Sequence, residues 1–547
     1  MNRLPLEDPA ERLLGRVLRR QAEAIPDAPF LLSGDDRLSY GEVNARANGA
    51  AAGFAELGIG RGGGVALLLP STPAAVFTAL GVNKLGGIWI PINPDYKGAW
   101  LRESLEDSRA RVLVADAELL PRLAEVAPLP FERVLLRGGR GDEGRALGAP
   151  VEPFEFLDRP GAAEPDDGDL HTGDTASVLF TSGTTGRAKG VMQSHNVWIR
   201  GALSGADSTG VREGDVLYNV LPVYQSGAWV ANLFRALVCG VPCAMDPHFS
   251  ATQFWDRCRH YGATMIFTLG AMHIFLWRAP ERPDDADNPV RVASLIPMPA
   301  ELEEPFKKRF GIEAISQGYG QSEVMTLLVR NPGRSYKPNA LGEVAPGIEL
   351  KLLDDEDREV PPGEPGEICV RPLEPFVIFN GYWHDDGATV RAWRNLWYHT
   401  GDLARRDADG DYFFHDRKQD FIRHKGRNVS SFQVEAALGA HPAVAQVAVH
   451  GVPSEELEAE AEIKACVVLA PGATATPEEL ARFVNDTAPY FFVPRYIEFL
   501  DELPMTPTGR VRKFLLRERG VTRTTWDARA AGFRVRRWPG GRPGAPA

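Results

Sequence analysis

The chain has 547 residues, 44% of them hydrophobic and 24% charged, with a formal net charge of −12. This length exceeds one compact core and implies two to four globular domains. The acidic balance argues against a general nucleic-acid binder, which needs a basic face to neutralise phosphates.

The five cysteines, Cys239, Cys243, Cys258, Cys369 and Cys466, form no CxxC pair, as expected of reduced, buried thiols. No signal-peptide core opens the chain, and no run reaches about 18 apolar residues, so a cytoplasmic protein with no membrane span is expected.

In chain order, AERLLGRVLRRQAEA (10–24) has helical periodicity. GVALLL (64–69) predicts a buried strand, TPAAVFTALGVNK (72–84) the helix after it, and GGIWIPINP (86–94) the next strand. This rhythm predicts βαβ units and a largely parallel sheet. Residues 138–173, rich in Gly, Pro and acidic residues, read as a surface excursion. A second αβ series spans 176–329. From Gly342 short apolar runs are cut by Pro-Gly and acidic turns, which predicts a small antiparallel barrel. Residues 417–519 mix short strands (AVAQVAVHGV, EIKACVVLA) with the helix TPEELARFVND, a small α+β unit. The basic, Gly- and Pro-rich end predicts disorder.

The strongest local signal is Thr181-Ser-Gly-Thr-Thr-Gly-Arg-Ala-Lys189-Gly190, directly after the apolar run SVLF. Gly183, Gly186 and Gly190 permit tight turns and close approach to a ligand. Thr181, Ser182, Thr184 and Thr185 add hydroxyl donors to the backbone N–H groups, and Lys189 adds a cation, so the segment suits an anion. It is not a Walker A loop, because Lys189 is followed by Gly190 rather than Ser or Thr. In isolation such a loop is commonly a plain turn; its place behind a buried strand favours phosphate binding.

LFTSGTTGRAKGV resembles the phosphate loop of the adenylate-forming superfamily, which comprises acyl- and aryl-CoA synthetases, luciferases and peptide-synthetase adenylation domains, with Ala188 where proline is usual. The resemblance continues in order along nearly the whole chain. Gln317-Gly318-Tyr319-Gly320-Gln-Ser322-Glu323 is similar to the adenine and metal motif. It implies Tyr319 stacked on adenine, Gln317 near the adenine amine, Ser322 on the α-phosphate and Glu323 on Mg²⁺, a hard cation. Tyr398-His-Thr-Gly-Asp402 resembles the ribose motif, with Asp402 accepting from the ribose hydroxyls and Arg417 beside them. Asp416 to Asp420 resembles the hinge between domains, with Gln419 as the hinge residue. The loop Lys425-Gly426-Arg-Asn-Val-Ser-Ser-Phe432 resembles the one lining the thioester-forming state, and is most similar to carnitine/crotonobetaine-type ligases.

Pro504 to Lys513 resembles the C-terminal catalytic loop, with Arg510 where the family has lysine and Lys513 expected at the surface. Gln225, in Leu221-Pro-Val-Tyr-Gln-Ser-Gly227, stands where histidine is usual and cannot titrate. Ser294-Leu-Ile-Pro-Met-Pro299 replaces a Gly-Ala-rich turn facing adenine. By motif position, Tyr224, Gln225, Trp229, Leu269, Met298 and Thr326 line the acyl pocket.

The resemblance implies an α/β fold: a large domain (1–416) of two packed αβ sheet subdomains plus a small β-barrel, a small mobile α+β domain (417–525), and a disordered tail (526–547). It implies a monomeric or homodimeric ligase that uses Mg²⁺ and ATP to adenylate a small molecule, releases pyrophosphate and passes the acyl group to CoA. Arg510, Lys189, Glu323 and Ser322 form the catalytic set. The departures at Arg510, Gln225 and Ser294–Pro299 leave two alternatives: an ATP-dependent diazotase acting on nitrite and an aromatic amine in secondary metabolism, and a non-catalytic nucleotide-binding member.

Overall fold

The run Gly64–Leu68, buried at every position, lies inside an eight-stranded sheet. In spatial order the strands are Gly381–Tyr382, Lys189–Ser194, Thr175–Thr181, Ile88–Pro91, Gly64–Leu68, Val112–Asp116, Arg133–Arg137 and Val151–Pro153. The last six run parallel, as the βαβ rhythm predicts, while Lys189–Ser194 and Gly381–Tyr382 each run antiparallel to their neighbour. The computed structural model describes residues 1–139, 144–181, 189–331, 334–418, 420, 422–424, 427–454, 461–506 and 510–536. Of these, the residues in Met1–Thr181, Ala188–Leu350 and Val370–Tyr398 form one compact unit, and those in Lys351–Cys369 and His399–Ala547 another. Among them no helix is long and apolar enough to cross a membrane.

The first unit holds a second, seven-stranded sheet. Its order is Ala314–Ser316, Val292–Ile296, Met265–Leu269, Leu217–Asn219, Cys243–Met245, Pro29–Ser33 and Asp36–Ser39, parallel except for the final hairpin. Helices Leu14–Ala24, Tyr40–Glu56, Pro73–Lys84 and His195–Thr209 pack with both sheets in one apolar cluster. Each start has a local cause where it matters. Ser39 and Glu42 close a capping box, and the Ser194 side chain accepts from the Val197 amide. Pro73 fills a first-turn position of a helix buried along its length. The cluster's centre is aromatic: Trp89 lies 4.3 Å from Trp229 and 6.0 Å from Trp198, ring to ring.

The 138–173 stretch is more than a surface excursion. It adds the edge strand Val151–Pro153 and buries Leu157, while Glu164 reaches the ammonium of Lys84, whose side chain is 2% exposed. A buried ammonium needs such a counter-charge, and this draws the segment onto the helices.

The second unit has a four-stranded sheet, Val444–Pro453, Ala461–Leu469, Tyr496–Phe499 and Trp526–Asp527, with helices Ser431–Gly439 and Pro477–Thr487 on its core. Thr476 and Glu479 box the latter helix behind Pro477. Disorder was expected from residue 526, but Trp526–Asp527 pairs with Tyr496–Phe499 and Phe533 packs on the core; residues 537–547 lie outside the described ones. All five cysteines are free and buried.

Candidate active site

The phosphate-loop candidate begins and ends at one point of the first unit. Thr181 pairs in register with Lys189, and its Oγ1 donates to the Lys189 carbonyl at 3.4 Å. Ser182, Gly183, Thr184, Thr185 and Gly186 lie outside the described residues. The strand starting at Lys189 carries Val191 and Met192, which pair with Tyr382 and Gly381. This register brings the Tyr382 ring to 4.9 Å from Lys189 Nζ. The Tyr382 hydroxyl donates to Glu323 Oε1 at 3.0 Å. Glu323 is held from behind: its carbonyl accepts from Phe379 N at 2.9 Å, and the Gln193 side chain donates to the carbonyl of Ser322. Lys189 and Glu323 therefore both meet Tyr382, a tyrosine that the sequence did not single out, with Ser322 next to Glu323 in the chain.

Tyr319 sits in a two-residue strand opposite Leu328. A Cβ on Gly318 would meet the Leu328 carbonyl at 2.5 Å, and one on Gly320 the Met325 carbonyl at 2.4 Å, so only glycine allows the turn to close on both sides of Tyr319. Gln317 uses both ends of its amide inside the unit: Oε1 accepts from Met298 N at 3.2 Å and Nε2 donates to Glu303 at 3.2 Å. It thereby fixes the turn after Val292–Ile296 beside the Gln317–Glu323 motif.

The acyl-pocket candidates divide. Met298 is buried and tied to Gln317, and Leu269, half-buried, ends a strand in register with Ile296. Thr326 Oγ1 donates to the Gly201 carbonyl at 3.4 Å. Tyr224 is half-buried, and its hydroxyl is hydrogen-bonded by Gln225. Burial, then the charge of Asp95, pushes the Tyr224 phenol up to about 12. Trp229 lies in the aromatic core, 1% exposed, with its indole N–H on the Val223 carbonyl at 2.6 Å. His273, which no motif flagged, stands by the same turn, with its ring nitrogens 3.1 Å from Thr268 Oγ1 and 2.9 Å from the Pro297 carbonyl. Burial lowers it to about 4, so it is neutral near pH 7.

In the second unit, Asp402 is 5% exposed and lies opposite Arg417 in register, 3.6 Å from its Nε. The strand Trp397–Arg406 is pinned just before Asp402 by Glu367, whose Oε1 accepts from Gly401 N at 3.0 Å. Glu367 Oε2 accepts from His399 Nδ1 at 3.1 Å and Lys418 Nζ at 2.9 Å. Burial opposes its ionisation, but these two donors outweigh it and hold the carboxyl at about 2. Glu367, Cys369 and His399 have metal-ligand proximity, yet Lys418 already neutralises the carboxylate, so the trio reads as an ion-pair core. Gln419 and Gly426 lie outside the described residues.

Arg510 is exposed beside the Met505–Val511 bridge, its amide donating to Thr506 Oγ1 at 3.0 Å. Lys513, expected at the surface, is instead 13% exposed and bonded to Glu435 at 2.8 Å and Ser431 at 2.7 Å, with Asp420 at 3.9 Å. Three polar partners on neighbouring segments pull its ammonium inward.

The sequence profile of the AMP-binding enzyme family matches residues 18–383, and that of the AMP-binding enzyme C-terminal domain matches residues 433–510. Crotonobetaine/carnitine–CoA ligases of Salmonella typhi and Salmonella typhimurium are 32% identical over 490 residues, covering 87% of this chain and 92% of theirs. Among solved structures, the anthranilate CoA ligase AuaEII in complex with anthranoyl-AMP is 27% identical, with a TM-score of 0.83 over 95% of this chain and 99% of that one. ATP-bound MatB from Rhodopseudomonas palustris, at 24% identity and a TM-score of 0.80 over 92% and 98%, shares the fold.

Proposed function

The chain belongs to the AMP-binding enzyme family, and on that premise we propose that Lys189 and Ser322 contact the phosphates of ATP, and Glu323 its Mg²⁺, for an AMP-forming ligation of a carboxylic acid to CoA. The enzyme is an ATP-dependent acyl-CoA ligase working in two half-reactions. A carboxylate oxygen attacks the α-phosphorus, the bond to the bridging oxygen breaks, and pyrophosphate leaves. CoA thiolate then attacks the acyl carbonyl of the adenylate, and AMP leaves.

The observation that carries the reading is the meeting of a cation and a carboxylate where the glycine-and-hydroxyl loop closes: Lys189 over Tyr382, and Tyr382 on Glu323. Bringing a carboxylate to a triphosphate concentrates negative charge, which preorganised donors and cations stabilise. Lys189 supplies one cation and Arg510 a second. Tyr319 stacks on adenine, with Gln317 at the edge of the base, and Asp402 accepts from the ribose hydroxyls beside Arg417. The donors of the Gln321–Glu323 turn, a carboxylate, a hydroxyl and an amide, are hard and suit Mg²⁺, so Glu323 would hold it. Bound there, Mg²⁺ supplies charge neutralisation of the phosphates. Tyr224, Gln225, Leu269, Met298 and Thr326 are the proposed acyl-side residues; the uncharged amide of Gln225 fits recognition of the acid by hydrogen bonding rather than by a titrating group.

The test is AMP release and ATP–pyrophosphate exchange across aliphatic acids, aryl acids and nitrite, each with and without CoA. Acid-dependent exchange, with CoA-dependent AMP release, is expected. AMP release that requires nitrite and an aryl amine, or ATP cleavage to ADP, overturns the reading.

A further inference from the structure

We propose that Tyr382 is the positioning residue that sets Glu323 and Lys189 for Mg·ATP. The inference rests on the roles proposed above for those two groups.

Tyr382 touches both with different parts of one side chain. Its hydroxyl donates to Glu323 Oε1 at 3.0 Å, and its ring lies 4.9 Å from Lys189 Nζ. The side chain is not free to choose this pose. Its strand pairs with Val191 and Met192, and its amide donates to Thr389 Oγ1 at 2.9 Å. Phe379 packs edge-on to its ring at 5.1 Å and to Tyr398 at 5.0 Å. The Tyr398 hydroxyl donates to Gln321 Oε1 at 3.0 Å. Tyr382 is 6% exposed and Tyr398 2% exposed, so neither hydroxyl exchanges freely with bulk water.

Two physical effects follow. A hydrogen bond to a charged carboxylate fixes the Glu323 rotamer in advance, so metal binding does not have to order it. Donation also leaves the phenol oxygen more negative, which strengthens the attraction of the ring face for the Lys189 ammonium. The two groups facing the phosphates are thus linked through one ring.

The variant Tyr382→Phe removes the hydroxyl and keeps the ring. It is expected to raise the Mg²⁺ concentration for half-maximal ATP–pyrophosphate exchange about tenfold, the loss typical of a hydrogen bond to a charged group. Mn²⁺ binding in the presence of ATP, followed by EPR, should weaken by the same factor, while metal-free ATP binding by calorimetry changes less than about twofold because the ring stays under Lys189. In a Glu323→Gln background, adding Tyr382→Phe should change the Mn²⁺ affinity less than about twofold, since the two groups act as one unit. Unchanged Mn²⁺ binding in Tyr382→Phe, or an equal effect in both backgrounds, overturns the proposal. The Mn²⁺ and ATP binding arms need no acid substrate, so a wild type that shows no acid-dependent exchange fails the ligase reading separately.

Discussion

The backbone amide of Leu14 donates to Nδ1 of His195 at 3.3 Å, joining the start of one helix to the start of another across a fully buried site. The bond requires an unprotonated Nδ1, so His195 is neutral in the fold. Burial lowers it to about 4, against a modest opposing effect of Asp174. Because the folded value lies below the usual 6.5, the neutral ring favours the fold above pH 6.5, and that contribution is lost as pH falls toward 4. Between pH 7 and pH 5 it amounts to about 2 kcal/mol. His195→Gln keeps an acceptor for Leu14 and does not titrate. Urea midpoints measured at both pH values should fall less in this variant than in the wild type; equal falls refute the assignment.

Lys418 and His399 hold Glu367 at about 2, below the usual 4.5. A carboxyl lowered on folding contributes stability above pH 4.5 and loses it as pH falls through about 2. The contribution is about 3 kcal/mol. Lys418→Met leaves the carboxylate with one cationic donor fewer and is expected to move acid unfolding of the second unit to higher pH. Circular dichroism between pH 6 and pH 2 measures the shift.

The hairpin pairing Arg394 with Trp397 turns on Asn395 and Leu396, at φ 48° and 63°. Both values lie in the left-handed region, where asparagine is tolerated and leucine is strained by about 1 kcal/mol. Leu396 is 78% exposed and so gains little from packing. Leu396→Gly should stabilise the protein by up to about 1 kcal/mol, partly offset by the entropy of glycine, and leave turnover unchanged. A lower unfolding midpoint would show that Leu396 contacts something beyond its own turn.

Arg510 is exposed, so its removal should not disturb folding. Arg510→Ala is expected to lower acid-dependent ATP–pyrophosphate exchange about a hundredfold, as for loss of one preorganised charge donor, with an unchanged melting temperature. Exchange at the wild-type rate removes Arg510 from the proposed chemistry.

The α/β architecture and two-part organisation were legible in the residues, because period-two and helical apolar patterns are local. The candidate site was legible where its groups are contiguous in sequence: Thr181 to Gly190, Gln317 to Glu323 and Tyr398 to Asp402 each carry several polar side chains within a short stretch. Contacts made across the fold were not. No spacing in the sequence links Tyr382 to Lys189, because a strand register brings them together. Trp229 has the character of a pocket aromatic, yet packing against Trp89 places it in the core. Lys513 has the look of a surface lysine until Glu435, Ser431 and Asp420 surround it. Short-range spacing determines which chemistry a segment can offer. Only the packing of distant segments decides which side chains meet, which are buried and which charges are already neutralised.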